Sequence, residues 1–313
     1  MSALLFPGQG SQVVGMGSEI YKNFDLVKRI FKQANEKLEY EISKLILEGP
    51  ENELQLTKNT QPAILTVSYS YFRVLKDEFG FDFSTFKHFA GHSLGEYSAL
   101  VCSGSLNFDD ALYLLFERGK AMQEAVPLGE GSMIAVLGMK TNELEEFLKS
   151  VIKENDICEI ANDNAEGQVI LSGKKASVNL VQKLLKEKKV KSIPLKVSAP
   201  FHCSLMKPAS EKMKEKIRKI KFSKPFLKII NNVTAEPEDN FENIKELLIN
   251  QIYSTVKWRE SIVYMSSVGV KNFVEIGPGK VLTGMIKRTI KDANCFSINT
   301  IADIKNLENE FKR

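Results

Sequence analysis

Residues 91–95 read Gly-His-Ser-Leu-Gly, a G-x-S-x-G pattern in which the serine can act as a nucleophile. The pattern forms a nucleophile elbow only where a strand precedes it and a helix follows, because the sharp turn between them exposes the hydroxyl. Apolar residues recur in 83–90 before the pattern, and small residues follow it in 96–102. We therefore predict a short buried strand, a tight turn that presents Ser93, and a helix whose first N–H groups face a developing oxyanion.

A nucleophilic serine needs a base, and the chain contains only three histidines, His88, His92 and His202. His88 lies back along the predicted strand, below the turn. His92 is adjacent to Ser93, and adjacent side chains on an elbow diverge. His202 arrives from a distant part of the chain, and a serine that precedes its histidine is the order expected of an elbow enzyme. By elimination, we predict that His202 is the base for Ser93.

A glycine-rich loop at 7–12 follows a short apolar strand at 3–6. The phosphate-binding pattern G-x-G-x-x-G would require a glycine where Val13 stands, and no G-K-[ST] follows, so phosphate binding is not indicated. Two interpretations remain open. The loop can present backbone N–H groups to an anion or oxyanion, or it can be a plain tight turn.

Arg118 falls within an otherwise apolar helix predicted to begin at Asp109. From spacing alone, the simpler interpretation is a surface arginine that pairs with Glu117 or Glu124. The alternative is a guanidinium aimed at the elbow, able to hold a carboxylate through two parallel hydrogen bonds. Gln61, near the start of an apolar helix predicted over 63–75, is similarly either a site-lining residue or an ordinary polar residue at a helix start.

The chain changes character after residue 127, where strands and helices alternate at short spacing. We predict them at 132–139 (strand), 142–152 (helix), 157–161 and 168–172 (strands joined by a turn at 163–167), 174–187 (helix) and 190–197 (strand). This β-α-β-β-α-β order is the ferredoxin-like arrangement. The predicted fold is therefore α/β. An α/β-hydrolase-like large domain with a parallel sheet comprises 1–127 and 198–313, and a ferredoxin-like α+β small domain is inserted at 128–197. A site is expected in the cleft between them.

Other elements of the large domain are predicted from the same patterns. Helices are expected within 17–58, at 244–253 and from 281, and strands at 226–233 and 273–276. The segment 207–228 contains nine basic and two acidic residues. A solvated helix face is the default interpretation of this excess, and a docking face for an acidic partner is the alternative.

Composition bounds the remaining possibilities. The 313 residues carry a net charge of only +4, and 43% of them are hydrophobic, as in an ordinary globular protein, so nothing points to a nucleic-acid partner. No apolar run approaches the roughly 20 residues of a membrane helix, and the N-terminus has no signal-peptide pattern. We expect a cytoplasmic protein. The four cysteines form no C-x-x-C pair, so neither a metal site nor a disulfide framework is predicted.

Several motifs in this order resemble the malonyl-CoA:acyl-carrier-protein transacylases of type II fatty acid synthesis, and the likeness spans nearly the whole chain. They are Phe-Pro-Gly-Gln-Gly-Ser-Gln at 6–12, Gly-His-Ser-Leu-Gly-Glu-Tyr at 91–97, the arginine at 118, Ser-Ala-Pro-Phe-His at 198–202 and Glu-Ile-Gly-Pro-Gly-Lys at 275–280. Each motif alone is moderately specific, and the ordered set is highly specific.

The resemblance implies a role for each of these motifs. Ser93 would be the acylated nucleophile and His202 its base. The backbone N–H groups of Gln9 and Leu94 would form the oxyanion hole. Arg118 would bind the malonyl carboxylate, which reverses the interpretation drawn from spacing alone.

The resemblance also implies supporting residues. A backbone carbonyl near Gln251 would orient the histidine in place of the usual triad acid. Asn162 and Gln61 match polar residues that line the site. Phe201 resembles the malonyl-accepting version of its motif rather than the methylmalonyl one.

By the same resemblance, the reaction would be ping-pong, through a malonyl-serine, from malonyl-CoA to holo acyl carrier protein, with no metal or bound organic cofactor. We also expect a monomer. The 207–228 segment and a basic cluster at 287–291 would suit an acidic carrier. The competing class is a serine esterase or thioesterase of the α/β-hydrolase or patatin-like type, which uses the same elbow. A carrier-docking scaffold with an inactive site is the non-enzymatic alternative.

Overall fold

The computed structural model describes residues 1–197 and 199–311, in which ten strands form two separate sheets. The strands are β1 (Ser2–Phe6), β2 (His88–Gly91), β3 (Gly131–Leu137), β4 (Cys158–Ala165), β5 (Gln168–Lys174), β6 (Lys191–Pro194), β7 (Ile229–Ile230), β8 (Pro237–Glu238), β9 (Asn272–Ile276) and β10 (Asn294–Ile298). The helices are α1 (Ser18–Asn23), α2 (Asp25–Leu38), α3 (Ile42–Glu48), α4 (Glu51–Leu54), α5 (Thr57–Arg73), α6 (Leu94–Cys102), α7 (Phe108–Glu124), α8 (Thr141–Val151), α9 (Lys175–Glu187), α10 (Lys207–Lys219), α11 (Phe241–Gln251), α12 (Trp258–Ser267), α13 (Val281–Thr289) and α14 (Ile301–Phe311).

The larger sheet has the strand order β10-β9-β1-β2-β7-β8. All neighbouring pairs are parallel except β7 and β8. Every residue of the central strand β1 is buried, as expected where helices cover both faces of a parallel sheet. The predicted α/β class with a parallel sheet is confirmed.

The smaller sheet has the order β4-β5-β3-β6, and its pairs are all antiparallel. The chain enters it at β3, crosses through α8 to β4, turns into β5, and crosses through α9 to β6. A separate apolar cluster lies between this sheet and the two helices; it includes Ile134, Leu144, Leu171, Val178 and Leu185. The predicted alternation of strands and helices in this segment is confirmed.

The smaller sheet contacts the rest of the chain where β4 meets the segment before α12. Asn162 and Val256 form a parallel bridge, and the N–H of Asp163 donates to the Val256 carbonyl at 3.0 Å. Asp163 is buried and accepts from Nε and Nη2 of Arg259, with the shortest contact at 2.8 Å. This paired, two-nitrogen contact fixes orientation as well as distance.

The strand predicted at 83–90 is shorter than expected. A 3₁₀ turn occupies Phe83–Thr85, and the strand covers only His88–Gly91. Phe83, Phe86 and Phe89 recur every third residue, a spacing that does not match the two-residue repeat of a strand. Instead, the rings pack on one another, with 5.3 Å between the centroids of Phe83 and Phe86.

The strand predicted at 226–233 is also wrong in length, since β7 has only two residues. Asn231 ends it, because its Oδ1 accepts from the N–H groups of Val233 and Thr234 and turns the chain. The turn predicted at 163–167 is too long. β4 continues to Ala165 through two irregularities in its pairing with β5, so residues 162–165 stay in the sheet.

Two boundaries differ from the predictions in other ways. Helix α5 begins at Thr57, earlier than the apolar run that predicted it, and so contains Pro62 inside the helix. The predicted domain boundary at Ser198 lies outside the described residues.

In 1–197 and 199–311, no helix is both long and apolar enough to cross a membrane.

Candidate active site

Ser93 occupies the sharp turn between β2 and α6, with φ of 53° and ψ of −112°. A positive φ is rare for a residue with a side chain and marks a strained position. A Cβ on Gly91 would lie 1.9 Å from the carbonyl carbon of Gly95, and one on Gly95 would lie 2.2 Å from the carbonyl oxygen of Phe6. Glycine at both positions therefore lets α6 approach β1 and β2 closely, and Ser93 stands at the carboxyl edge of the sheet.

The Ser93 hydroxyl contacts the imidazole of His202. Ser93 Oγ lies 2.8 Å from His202 Nε2, and His202 Nδ1 lies 2.8 Å from the backbone carbonyl oxygen of Gln251. A carbonyl oxygen can only accept, so the proton is on Nδ1 and the bare Nε2 accepts from the Ser93 hydroxyl. This is the tautomer that a general base requires.

Gln251 is the last residue of α11, where carbonyl groups lack helical partners and carry the negative end of the helix dipole. Its carbonyl thus contacts His202 where a Ser-His-Asp triad has a carboxylate. Burial lowers the pKa of His202 to about 3, and the charge of Arg118 adds to this shift. The imidazole is therefore neutral near pH 7, and the lone pair of Nε2 is free to accept a hydrogen bond from the Ser93 hydroxyl.

Arg118 is 1% exposed and points at the hydroxyl of Ser93. Its Nη2 donates to Ser93 Oγ at 3.1 Å and to Gln251 Oε1 at 2.8 Å, while Nη1 donates to Gln61 Oε1 at 2.8 Å. Nε has no hydrogen-bond partner, and no ion pair includes Arg118, among the described residues. A buried guanidinium held by amides rather than by a carboxylate can accept an anionic ligand, since its own charge is otherwise unpaired.

The surface ion pair suggested by spacing alone is wrong. Glu117 pairs with Lys216 at 2.9 Å, and Glu124 pairs with Lys212 at 3.2 Å. A sequence signal for burial did exist. Arg118 follows Leu115 by three residues and precedes Met122 by four, so it lies on the apolar stripe of α7.

These groups surround a cavity of about 170 Å³. Its polar lining includes Gln61, Ser93, Arg118, Asn162, Asn164 and His202. Its apolar lining includes Met122, Met133, Ile170, Phe201, Leu282 and Met285. The smaller sheet supplies Met133, Asn162 and Ile170, so the cavity lies between the two sheets.

The structure brings nearly all of the predicted site residues together. Those that line the cavity are Gln9, Gln61, Ser93, Leu94, Arg118, Asn162, Phe201 and His202. Gln251 is buried behind the cavity wall and contacts three residues that line it, Ser93, Arg118 and His202.

The other two histidines take no part in the contact with Ser93 Oγ. His92 points away into a contact with Asn164, with 2.8 Å between Nε2 and Oδ1, and its ring packs on Trp258. His88 lies at the far end of β2 near Tyr264. The elimination that selected His202 therefore agrees with the geometry.

Two asparagines that the sequence did not single out hold the elbow. Asn232 Oδ1 accepts from the Ser93 N–H at 2.7 Å, and its Nδ2 donates to the Gly91 carbonyl at 2.8 Å. Asn231 donates to Glu96 at 2.6 Å. Adjacent asparagines that directly follow a strand were the available signal, since such side chains commonly bind nearby backbone groups.

An α/β fold that presents a serine hydroxyl to a neutral imidazole defines the broad class of enzymes that act on acyl groups through a serine. Throughout the described part of the chain, no cluster of His, Cys, Asp and Glu is arranged to hold a metal ion. The chain belongs to the acyl transferase domain family, whose model matches residues 3–312.

Named relatives narrow this class. The chain is 47% identical over 289 residues to the malonyl CoA-acyl carrier protein transacylase of Bacillus subtilis. The aligned residues cover 91% of this chain and 89% of that protein. It is 40% identical to the enzyme of the same name from Escherichia coli K12, with 95% of each chain covered.

Solved structures agree with the sequence relatives. The acyl-carrier-protein-S-malonyltransferase of Bartonella henselae superposes with a TM-score of 0.96 at 39% identity, over 100% of this chain and 99% of that one. A type II PKS acyl-carrier protein in complex with its malonyl-transacylase superposes with a TM-score of 0.94 at 38% identity, over 99% of both chains.

Proposed function

We propose that this chain transfers the malonyl group of malonyl-CoA to the phosphopantetheine thiol of holo acyl carrier protein. The observation that carries this proposal is the position of Arg118, a buried cation 3.1 Å from Ser93 Oγ. An acyl group that ends in a carboxylate would place its charge beside that guanidinium when the group is attached to Ser93. The names of the relatives support the same substrate.

In the first half-reaction, His202 Nε2 takes the Ser93 proton as Oγ attacks the thioester carbonyl of malonyl-CoA. The negative charge on the carbonyl oxygen is stabilised by the backbone N–H groups of Leu94 and Gln9, with Leu94 at the positive end of α6. The C–S bond then breaks, and the CoA thiolate leaves with the proton from His202. The product is a malonyl ester of Ser93.

The second half-reaction repeats the first with a different thiol. The pantetheine thiol gives its proton to His202 Nε2 and attacks the ester carbonyl, and the C–O bond to Ser93 breaks as His202 returns the proton to Oγ. Each half-reaction forms a transient imidazolium, and the Gln251 carbonyl at 2.8 Å from Nδ1 stabilises it. The reaction is ping-pong, and we propose that it needs no metal or organic cofactor.

The remaining lining residues shape the acyl pocket in this proposal. Gln61 holds Nη1 of Arg118 and so fixes the plane of the guanidinium that faces the carboxylate. Asn162 offers an amide from the smaller sheet. Phe201 lines the cavity next to His202, and we propose that its ring disfavours a branch on the malonyl carbon.

The proposed reaction takes place in a large catalytic domain into which a smaller domain is inserted. We propose an α/β-hydrolase-like large domain from 1–127 and 198–313, with a ferredoxin-like domain at 128–197 that covers the elbow. The strand order β4-β5-β3-β6 and its separate apolar cluster support the second assignment.

The carrier protein most naturally approaches along α13 in this proposal. Val281, Leu282 and Met285 line the cavity, and Lys287 and Arg288 lie in the last turn of the same helix. No ion pair among the described residues includes either of these cations. Their charge is available to an acidic carrier.

The basic segment at 207–228 is less suitable for such a contact. Most of the cations of α10 are paired, as with Lys212 and Glu124, Lys214 and Glu211, Lys216 and Glu117, and Arg218 and Glu246. This pattern supports the solvated helix face rather than the docking face.

We further propose that the enzyme works as a cytoplasmic monomer in fatty acid synthesis. Size-exclusion chromatography with light scattering tests the oligomeric state, and cell fractionation tests the location. A dimer, or recovery with the membrane fraction, would contradict the corresponding part of the proposal.

The test of the function is intact mass after brief mixing with malonyl-CoA, with Ser93→Ala as the matched control. We expect a malonyl increment on the wild type alone and its loss when holo acyl carrier protein is added, with malonyl appearing on the carrier. Free malonate that accumulates without carrier, and no acyl-enzyme adduct, would support a serine esterase or thioesterase instead. Absence of both adduct and malonate would indicate an inactive docking scaffold.

A further inference from the structure

Glu96 is a buried acid next to the site that the transfer mechanism does not use. It lies in the first turn of α6, three residues after Ser93, and is 1% exposed. Its Oε1 accepts from Nδ2 of Asn231 at 2.6 Å. Its Oε2 accepts from the Asn232 N–H at 3.1 Å and from Nε2 of Gln251 at 2.9 Å.

All three partners of Glu96 can only donate in these contacts, because two are amide NH₂ groups and one is a backbone N–H. An ionised carboxylate satisfies all of them. A protonated carboxyl group would point its O–H at a donor and lose at least one hydrogen bond. Among the described residues, the charged or titratable groups that face Glu96 are Arg118 and Tyr97.

This carboxylate is the nearest acceptor for the side-chain amide of Gln251. Its Nε2 donates to Glu96 and also to the Ser93 carbonyl at 3.1 Å, which directs Oε1 toward Nη2 of Arg118 at 2.8 Å. If the amide turned over, its NH₂ group would face the guanidinium, and two donors would meet. Nε2 also lies 3.3 Å from Asn232 Oδ1, so three acceptors orient this amide. Glu96 makes the shortest of the three contacts and is the only one of these acceptors that can carry a charge, so it contributes most to the orientation in which Gln251 holds Arg118.

We propose that Glu96 is a positioning residue that acts through the Gln251 amide to hold the Arg118 guanidinium beside Ser93, and that it thereby sets the preference for a carboxylate-bearing acyl group. This inference rests on the proposed malonyl transfer. It goes beyond that proposal because Glu96 touches neither the acyl group nor the reacting atoms.

The ionisation of Glu96 should change the ratio of kcat/KM for malonyl-CoA to kcat/KM for acetyl-CoA as the pH changes. Burial raises the pKa of Glu96 to about 7, against the lowering effects of its three donors and of Arg118. The carboxylate is therefore lost as pH falls through about 7, and the malonyl group itself stays ionised there because an ordinary carboxyl group titrates near pH 4. His202, with its pKa lowered to about 3, stays neutral over the same range.

The experiment compares acylation of Ser93 by malonyl-CoA and by acetyl-CoA in wild type and Glu96→Gln, a variant of almost unchanged shape. Acetyl lacks the carboxylate and does not require Arg118. We expect Glu96→Gln to lower kcat/KM for malonyl-CoA by about tenfold or more, mainly through KM, the size of one hydrogen bond to a charged group. We expect acetyl transfer to change by less than about threefold.

Asn231→Ala is the matched control. It removes a different partner of Glu96 and leaves the contact with Gln251. Because the Asn231 donor lowers the pKa of Glu96, its loss raises that pKa. The malonyl-to-acetyl ratio should therefore be kept at pH 8.5 even if stability falls, and its change with pH should occur at a higher pH than in the wild type. In an Arg118→Ala background, Glu96→Gln should have no further effect on that ratio, because the group it positions is gone.

A proportional loss of malonyl and acetyl transfer in Glu96→Gln would overturn the inference, since it would indicate a purely structural role. If that variant does not fold, the wild type alone decides. Its malonyl-to-acetyl ratio should rise as pH increases through about 7, and a ratio independent of pH from 5.5 to 8.5 would equally overturn the inference. A wild type that forms no malonyl adduct at any pH would instead refute the proposed function.

Discussion

The backbone carbonyl oxygen of Gln251 accepts a hydrogen bond from the Nδ1–H of His202, with 2.8 Å between oxygen and nitrogen. A neutral acceptor at this position fixes the tautomer without placing a second charge in the pocket. The side chain of the same residue accepts from Arg118, so one residue orients both His202 and Arg118. The positive charge of Arg118 is nearest the acyl position, and no carboxylate of the described residues, Glu96 included, lies at ion-pair distance from it, so a negative acyl group is its natural complement.

Replacement of Arg118 should impair the transfer of a charged acyl group more than the transfer of an uncharged one. Arg118→Ala should lower kcat/KM for malonyl-CoA by about 10- to 150-fold, the range of about 1.5–3 kcal/mol for hydrogen bonds to a charged group. Uncharged acyl groups should be tolerated better than malonyl. Steady-state kinetics with both thioesters measure this, and equal losses would exclude a carboxylate-binding role. Arg118→Lys serves as the control that keeps the charge but loses the planar fork.

The rate of Ser93 acylation should not fall near pH 6.5, the ordinary pKa of a histidine, because His202 does not titrate there. The folded-state pKa of His202 is lowered to about 3 by burial and by Arg118, so the free base persists as pH falls from 8 to 5.5. The rate of Ser93 acylation by acetyl-CoA should thus stay level in this range. His202→Ala should lower the rate by about 10² to 10⁴, the usual contribution of a general base. A fall with an apparent pKa near 6.5 would contradict the assignment.

The elbow glycines can be tested against a glycine in open space. Gly95→Ala would place a Cβ 2.2 Å from the Phe6 carbonyl oxygen and should destabilise the fold by about 1–3 kcal/mol or prevent folding. Gly284, within α13, has nothing within 4 Å of an added Cβ. Gly284→Ala should stabilise the protein by about 0.5–1 kcal/mol. Urea unfolding of both variants measures the difference, and similar values would refute the close approach of α6 to β1.

Acid should destabilise the protein partly through His88. Burial lowers the pKa of His88 to about 4, with a further contribution from the charge of Lys87. Since the folded-state pKa lies below the unfolded value of about 6.5, its contribution to stability is complete above pH 6.5 and declines as pH falls toward 4.

The variant His88→Leu removes that proton uptake and fills the site with an apolar side chain of similar size. The melting temperature of the variant should therefore fall less steeply than that of the wild type between pH 6.5 and pH 4. Parallel curves would show that His88 does not take up a proton on unfolding.

The sequence predicted the elbow and its histidine because both follow from local requirements. A G-x-S-x-G turn needs glycines for close approach, and a chain with three histidines leaves little choice of base. Arg118 was different. Its burial depends on what packs against α7, and only the resemblance to a known family assigned it to the site, although its place on the apolar stripe was visible.

The sequence could not predict the amide network for a related reason. Gln251, Asn232 and Glu96 come from three separate segments, and their hydrogen bonds exist only once the sheet has formed. The shortened strand β7 shows the same limit. Its apolar residues favour a longer strand, but the side chain of Asn231 competes for backbone groups and ends it.

The site residues are far apart along the chain, so the ribosome synthesises them at different times. Ser93 and Arg118 emerge early from the ribosome, but His202 follows only after the smaller sheet has been synthesised, and Gln251 comes later still. The central strand β1 also waits for its neighbour β9 near the end of the chain. A nascent polypeptide therefore carries Ser93 without its base while residues 94–202 are added, and the site is complete only after Gln251 and β9 have followed.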